Sequence, residues 1–272
     1  MNHQELYQRL NLPEVVIVKL NNYANIREFQ LSEDLKLRII NRLEWDEAVK
    51  ELQTLLKDDP DGIKILWEML DLLCNYTYPK YMARDISDEI FIATTKFITR
   101  SLEWQNTYYG ENKFTKAHWF PRELAAVEFR IGALEYEFVD GDVRKIGVHI
   151  PSDAVFTRES VLQSLKDFAV FRNRYFPDWK DVTFTCNTWM LAPAMEELLN
   201  ETSNILAFKH MFELDTIDLE ATWFMGLIFP GYFTELADLP EKSSLQKKAK
   251  EYLLSGKKIG VAKGHLRDEF CV

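Results

Sequence analysis

Cysteine is scarce in this chain. The 272 residues hold three, Cys74, Cys186 and Cys271, far apart and odd in number. That excludes a disulfide framework and fits a reducing, cytoplasmic setting. Positive charge is also short: 33 Lys and Arg face 43 Asp and Glu, for a net charge of −10. A nucleic-acid partner is disfavoured, because phosphate binding needs a concentrated positive field. No apolar run approaches ~20 residues, so no membrane span is expected. The start, Met1-Asn2-His3-Gln4-Glu5, lacks a basic region leading into an apolar stretch, so no secretory signal is expected. The five histidines and three cysteines show no metal-ligand spacing, and no metal site is expected. Internal repeats and low-complexity segments are absent.

What is present is apolar residue in ordinary amount, 47%, and aromatic residue in high amount, 13%. The first half reads helical. Leu35, Ile39, Leu43, Trp45, Val49, Leu52 and Leu55 recur at roughly three- and four-residue steps, with Ser32 placed as an N-cap. Asp59-Pro60-Asp61-Gly62 is a turn. Further helices are predicted from Ile63 to about Tyr76 and from about Glu89 to Trp104. Trp119 to Val127 is a last helix or leads into a strand.

The period then changes. In Leu134–Val139 apolar and acidic residues alternate, as in a half-buried strand. Asp140-Gly141-Asp142 is a hairpin turn. The returning strand puts Ile146, Val148 and Ile150 on one face, and Lys145, Gly147 and His149 on the other. A helix follows, capped by Thr157 and stopped by Pro177. Val182–Cys186 is a strand and Met195–Leu199 a short helix. Leu206–Leu214 and Trp223–Phe229 are predicted strands, and Ser243–Leu254 an amphipathic helix. The Gly- and Lys-containing end from Ser255 reads as a mobile tail. Gly256-Lys257-Lys258-Ile259-Gly260 lacks the strand-loop-helix context of a phosphate loop. The fold expected is α+β: a helical domain over residues 1–125, then a mixed α/β sheet domain over 126–272.

Two strand ends separated by one helix suggest a cleft. His149 ends the first strand, as a base or as a histidine that fixes the turn before Pro151. Glu135 and Glu137 share a strand face, as bases or as a solvated surface. Cys186 reads as a buried small hydrophobe, the rival reading being a nucleophile beside His149 or His210. His210 alternates with Phe208 and Phe212 and is expected in the core. Asn187 and Trp189 close the second strand end as cleft wall or capping turn. Ser203-Asn204 orients a ligand or forms a turn.

Several segments carry a resemblance when taken in order. They are Phe129-Arg130-Ile131-Gly132-Ala133-Leu134-Glu135-Tyr136-Glu137, His149-Ile150-Pro151, Ser164-Leu165, Tyr175-Phe176-Pro177, Cys186-Asn187-Thr188-Trp189-Met190-Leu191 and Ser203-Asn204-Ile205. In this order they resemble a bacterial family of two-domain acyltransferase proteins, with a helical N-terminal domain and a GNAT-like C-terminal domain. The resemblance covers nearly the whole chain. It implies acetyl-CoA or another acyl-CoA as donor and an amine on a small molecule or peptide as acceptor. His149, Glu135 and Glu137 are then candidate catalytic groups, and Thr157, Arg158, Asn187, Trp189 and Asn204 candidate donor-binding groups. One departure is visible: Pro151–Arg158, where such proteins carry a Gly-rich pyrophosphate loop, has no glycine and contains Asp153. The alternatives to an acyltransferase are a non-catalytic binding or scaffold module of the same fold and, more weakly, a Cys186–His hydrolase.

Overall fold

A computed structural model of the chain describes residues 1–271. They form two compact units, Met1–Ile131 and Gly132 onward.

The first unit is helical. Its helices are α1 (His3–Leu10), α2 (Glu14–Ile26), α3 (Glu33–Ile39), α4 (Trp45–Leu56), α5 (Ile63–Leu72), α6 (Tyr78–Ala83), α7 (Asp88–Thr95), α8 (Phe97–Tyr109) and α9 (Pro121–Leu124), with a short strand β1 (Glu128–Ile131) at its end. Ser32 caps α3, accepting from the Leu35 N–H. The pattern from Leu35 to Leu55 is two helices, not one. Asn41 breaks it: its side chain accepts from the Leu43 N–H, offering the backbone a local alternative to the helix. The segment from Glu89 to Trp104 also divides, between α7 and α8. There Thr95 Oγ1 donates back to the Phe91 carbonyl at 2.8 Å, a bond that bends helices.

Between α5 and α6 the chain makes one wide π-helical turn, Leu73–Thr77. Pro79 explains it. Proline cannot donate to the carbonyl four residues back and its ring crowds that carbonyl, so the preceding turn widens. α2 and α5 are joined by a buried carboxylate. Glu68 takes two bonds from Arg27, at 2.6 and 2.9 Å, and one from the Tyr23 hydroxyl at 3.0 Å.

The second unit is a sheet with helices. Its strands are β2 (Leu134–Val139), β3 (Lys145–His149), β4 (Thr183–Thr188), β5 (Phe212–Asp218) and β6 (Val261–Leu266). Within this unit their spatial order is β2-β3-β4-β6-β5. β2/β3, β4/β6 and β5/β6 are antiparallel, and β3/β4 is parallel. Its helices are α10 (Arg158–Tyr175), α11 (Met195–Leu198), α12 (Asn204–Lys209), α13 (Met225–Ile228) and α14 (Ser244–Leu254).

α10 is the crossover between β3 and β4, which two parallel strands require. It buries Val161, Leu165, Phe168 and Phe171. Phe168 stacks on Tyr136 of β2, with ring centroids 3.9 Å apart, and meets Phe184 of β4 edge to face. A ring buried this completely contributes roughly 1.5–3 kcal/mol. Ser164 Oγ pins α10 to β2: it accepts from the Leu134 N–H at 3.2 Å and lies 2.9 Å from the Tyr136 hydroxyl. That approach explains Gly132, whose φ is +63° and where a Cβ would stand 3.2 Å from Ser164 Cβ. A second cluster joins Trp189, Met195, Leu206, Phe224, Phe229 and Val261.

Three predicted elements differ. Residues 204–209 are helical, with Ser203 as N-cap, so the strand begins only at Phe212. Trp223–Phe229 holds the short helix α13, because Phe224 and Ile228 are buried at helical spacing. The expected mobile tail contains β6, an interior strand paired on both sides. Alternation of small and large residues in Val261-Ala262-Lys263-Gly264-His265-Leu266 suits a strand covered on one face. Neither glycine nor lysine there marks disorder.

Gly260, just before β6, has φ +66°, and a Cβ would stand 2.4 Å from the Asp218 carbonyl oxygen. Gly260→Ala therefore combines left-handed strain with a clash against backbone that cannot rotate away. It should cost about 2–4 kcal/mol in urea unfolding. A loss below about 0.5 kcal/mol would mean that β6 does not hold this register.

Candidate active site

Paired residues on neighbouring strands share a face, and successive residues alternate. Tyr136, Phe138, Ile146, Val148, Phe184 and Cys186 therefore face α10. Glu135, Glu137, Gly147, His149, Thr185, Asn187, Lys263 and His265 occupy the opposite, polar face.

On that face β3 and β4 part. Their pairing runs from Lys145↔Thr183 to Gly147↔Thr185 and stops there. β3 nevertheless continues to His149 and β4 to Thr188. β4 keeps its other neighbour, through Asn187↔Lys263 and Thr188↔Ala262. The parallel pair thus opens at its carboxyl end, where ligands of such sheets enter.

His149 stands at this opening. Its Nε2 lies 2.9 Å from Glu137 Oε2, with His149 about a quarter exposed and Glu137 buried. The strand register opposes His149 to Glu135 and Glu137 to Gly147. The bond to Glu137 is therefore diagonal, and it exists because Gly147 has no side chain. A Cβ there would sit 3.3 Å from His149 Nε2 and 3.5 Å from Glu137 Oε2. The strand pattern brings His149, Glu135 and Glu137 to one patch, and both carboxylates are buried, not solvated. Gly147 is the residue sequence reasoning passed over. Its only signal was a glycine in the interior of a strand.

Thr157 caps α10. Its Oγ1 accepts from the Ser160 N–H at 3.2 Å, and Ser160 Oγ accepts from the Thr157 N–H at 3.1 Å. Two donors of the first turn are thus used internally. The helical ladder leaves over the N–H groups of Arg158 and Glu159, and the Arg158 side chain is exposed beside them.

The remaining candidates scatter. Asn187 is exposed on the polar face near the end of β4. Trp189 turns away into the second apolar cluster and is 6% exposed, so it packs the core of this unit. Asn204 is exposed as the first residue of α12. His210 is exposed, not in the core, and lies 3.0 Å from Glu196. It follows a helix, so alternation with Phe208 and Phe212 has no meaning there. The Lys209 ammonium and His210 beside Glu196 hold that carboxyl below its usual range.

Cys186 is buried, and its side chain faces α10, on the side of the sheet opposite His149. Burial pushes its thiol up to about 12, the wrong direction for a nucleophile. The hydrolase reading is excluded by this geometry.

Two family models match, nearly end to end. A GNAT-like C-terminal domain matches residues 128–266, and an N-acyltransferase N-terminal domain matches residues 1–126. The chain belongs to the family that joins these two domains. Its fold is also that of solved acyltransferases. One, a mutant in complex with octanoyl-CoA, superposes with a TM-score of 0.76 at 18% identity, over 97% of this chain and 87% of that one. A second, in complex with decanoyl-CoA and teicoplanin, gives 0.74 at 19% identity, over 97% and 86%. A third, in complex with decanoyl-CoA, gives 0.70 at 20% identity, over 98% and 99%. No curated protein matches the chain.

Two outcomes test this geometry. Gly147→Val should separate His149 from Glu137 and cost about 1–3 kcal/mol by overpacking, read by urea unfolding and by a change in the His149 imidazole NMR signals. Unchanged signals would mean the two groups do not depend on that gap. In native protein at pH 8, iodoacetamide should label the exposed Cys271 and leave the buried Cys186 unmodified. Burial raises both thiols, so what separates them is access: Cys271 is exposed to the reagent and Cys186 is enclosed. Mass spectrometry showing Cys186 labelled first would restore it as a reactive group.

Proposed function

We propose that the protein transfers an acyl group from an acyl-CoA to an amine on a small molecule or peptide. The observation that carries this reading is the parting of β3 and β4 beyond Gly147 and Thr185, with the His149–Glu137 pair at its mouth. The solved relatives in complex with octanoyl-CoA and decanoyl-CoA support the donor class. Three free thiols suit a reducing, cytoplasmic setting.

In this reading the pantetheine arm lies between the parted strands, where released backbone groups meet its amides. The pyrophosphate lies at the start of α10, against the Arg158 and Glu159 N–H groups and the Arg158 guanidinium. With no glycine from Pro151 to Arg158 and with Asp153 nearby, donor affinity is modest. Asn187, on the polar face, is within the strand segment that flanks the arm. Trp189 supports the turn beneath it, and Asn204 has no role that its position suggests.

The amine nitrogen attacks the thioester carbonyl. A C–N bond forms, the C–S bond breaks, and CoA leaves as its thiolate. His149 takes the amine proton. Glu137 at Nε2 fixes the imidazole ring and stabilises the imidazolium that results. Glu135, opposite His149, adds to the negative field that favours that cation.

CoA added at about 100 times its dissociation constant should stabilise the fold by about 2.7 kcal/mol, seen as a thermal shift. With an acyl-CoA and an amine acceptor, His149→Ala should lower turnover about 100-fold or more while the CoA shift persists. No shift with any CoA species would favour a non-catalytic binding module. A shift with full activity in the variant would remove His149 from the chemistry.

A further inference from the structure

The polar face of the sheet carries a second histidine–carboxylate pair, apart from His149 and Glu137. His265 Nδ1 on β6 lies 2.6 Å from Asp215 Oδ1 on β5. Both side chains are a little over a third exposed, and at that exposure an ion pair does little for stability. The chain nevertheless leaves regular structure to make it. Leu214 opposes Gly264 and Thr216 opposes Lys263, so Asp215 is an extra residue on β5, a β-bulge. In unbroken pairing Asp215 would stand opposite Lys263 instead. Bulges re-aim side chains and gather beside active sites.

The ladder fixes where this pair stands. Gly147 of β3 opposes Thr185 of β4, and Thr185 opposes His265 of β6. The three form one row across the sheet, at the last bonded step of β3 and β4 before they part. Paired residues share a face, so His265 and His149 look onto the same surface. Neighbouring strands lie about 5 Å apart, which sets the His265 backbone about 5 Å from β4 and about 10 Å from β3. Between the two histidines β4 shows only the short side chain of Thr185. The bond to Asp215 takes the Nδ1 edge of the imidazole toward β5, so Nε2, on the ring's other side, is turned toward β4 and the opening. Glu213, opposite His265, and Lys263, two residues along β6, flank it with opposite charges.

Acyl transfer moves protons at two places. On the reading that this protein acylates an amine, His149 takes one from the nitrogen, and the sulfur leaving from between the parted strands gains one. We propose that His265, oriented by Asp215, is the acid that protonates the departing CoA sulfur. The C–S bond breaks, its electron pair goes to sulfur, and the proton on His265 Nε2 moves onto it. His149 then loses its proton and His265 regains one by exchange with water. Asp215 is a positioning residue: it holds the Nδ1–H and stabilises the imidazolium that donates.

The test compares two donors of the same octanoyl chain, octanoyl-CoA and octanoyl p-nitrothiophenyl ester. Hydroxylamine, a small amine that needs no shaped pocket, is the acceptor. p-Nitrothiophenolate is stable enough to leave without a proton. His265→Gln should lower kcat/KM for octanoyl-CoA about 100-fold and for the ester less than about threefold. Asp215→Asn should show the same contrast in smaller measure, and both variants should keep the CoA thermal shift. Equal losses with the two donors would make the pair structural and overturn the proposal. Unchanged octanoyl-CoA turnover in His265→Gln would overturn it as well. An unsubstituted chain inactive with both donors fails at an earlier step: the acyltransferase reading falls, and the role of His265 with it.

Discussion

The parallel pairing of β3 with β4 governs the second unit. Two parallel neighbours cannot be joined by a tight turn, so the chain must cross over, and α10 is that crossover. Its length lets Phe168 stack on Tyr136 and meet Phe184, which builds the core on one face of the sheet. The same pairing ends early. Where β3 and β4 stop bonding each other, backbone groups are released at the strand ends, next to the capped start of α10. The core and the parting of the strands are two consequences of one strand pair.

Within that frame the polar face depends on a missing side chain. A histidine and a glutamate on adjacent antiparallel strands, two residues out of register, meet only if the residue between them takes no space. Gly147 satisfies this, opposite Glu137 and two before His149. The result is a hydrogen-bonded pair of which one member is buried and the other reaches the opening. Rigidity comes from the strands, whose opposite-face residues Val148 and Ile146 are packed against the core.

The sheet's other side of the parallel pair depends on the chain's end. β6 lies between β4 and β5 and contributes backbone bonds to both. Gly260 lets the chain pass against the Asp218 carbonyl on its way in. The excursion between β5 and β6 is therefore closed at both ends by sheet pairing. This is why its buried face can be well packed while its outer face carries Trp223 and Tyr232.

Much of this was written in local pattern. Alternation in Leu134–Val139 and in the strand ending at His149 placed Glu135, Glu137 and His149 on one face, because side-chain period in a strand is a property of the backbone. Thr157 and Ser32 marked helix starts, since a capping hydroxyl acts within three residues. The ordered segments from Phe129 to Ile205 pointed to the family. What only the tertiary structure decided was long-range. β6 has little local signature, and it becomes a strand because β4 and β5 present unpaired edges to it. Residues 204–209 and 225–228 fold as helices because burial of Leu206, Phe224 and Ile228 outweighs their strand-like composition. The role of Gly147 follows from register between two strands, which no window of sequence contains. Cys186 and His149, both near strand ends, were separated by the sheet itself, which sets one in the core and the other on the opposite, polar face.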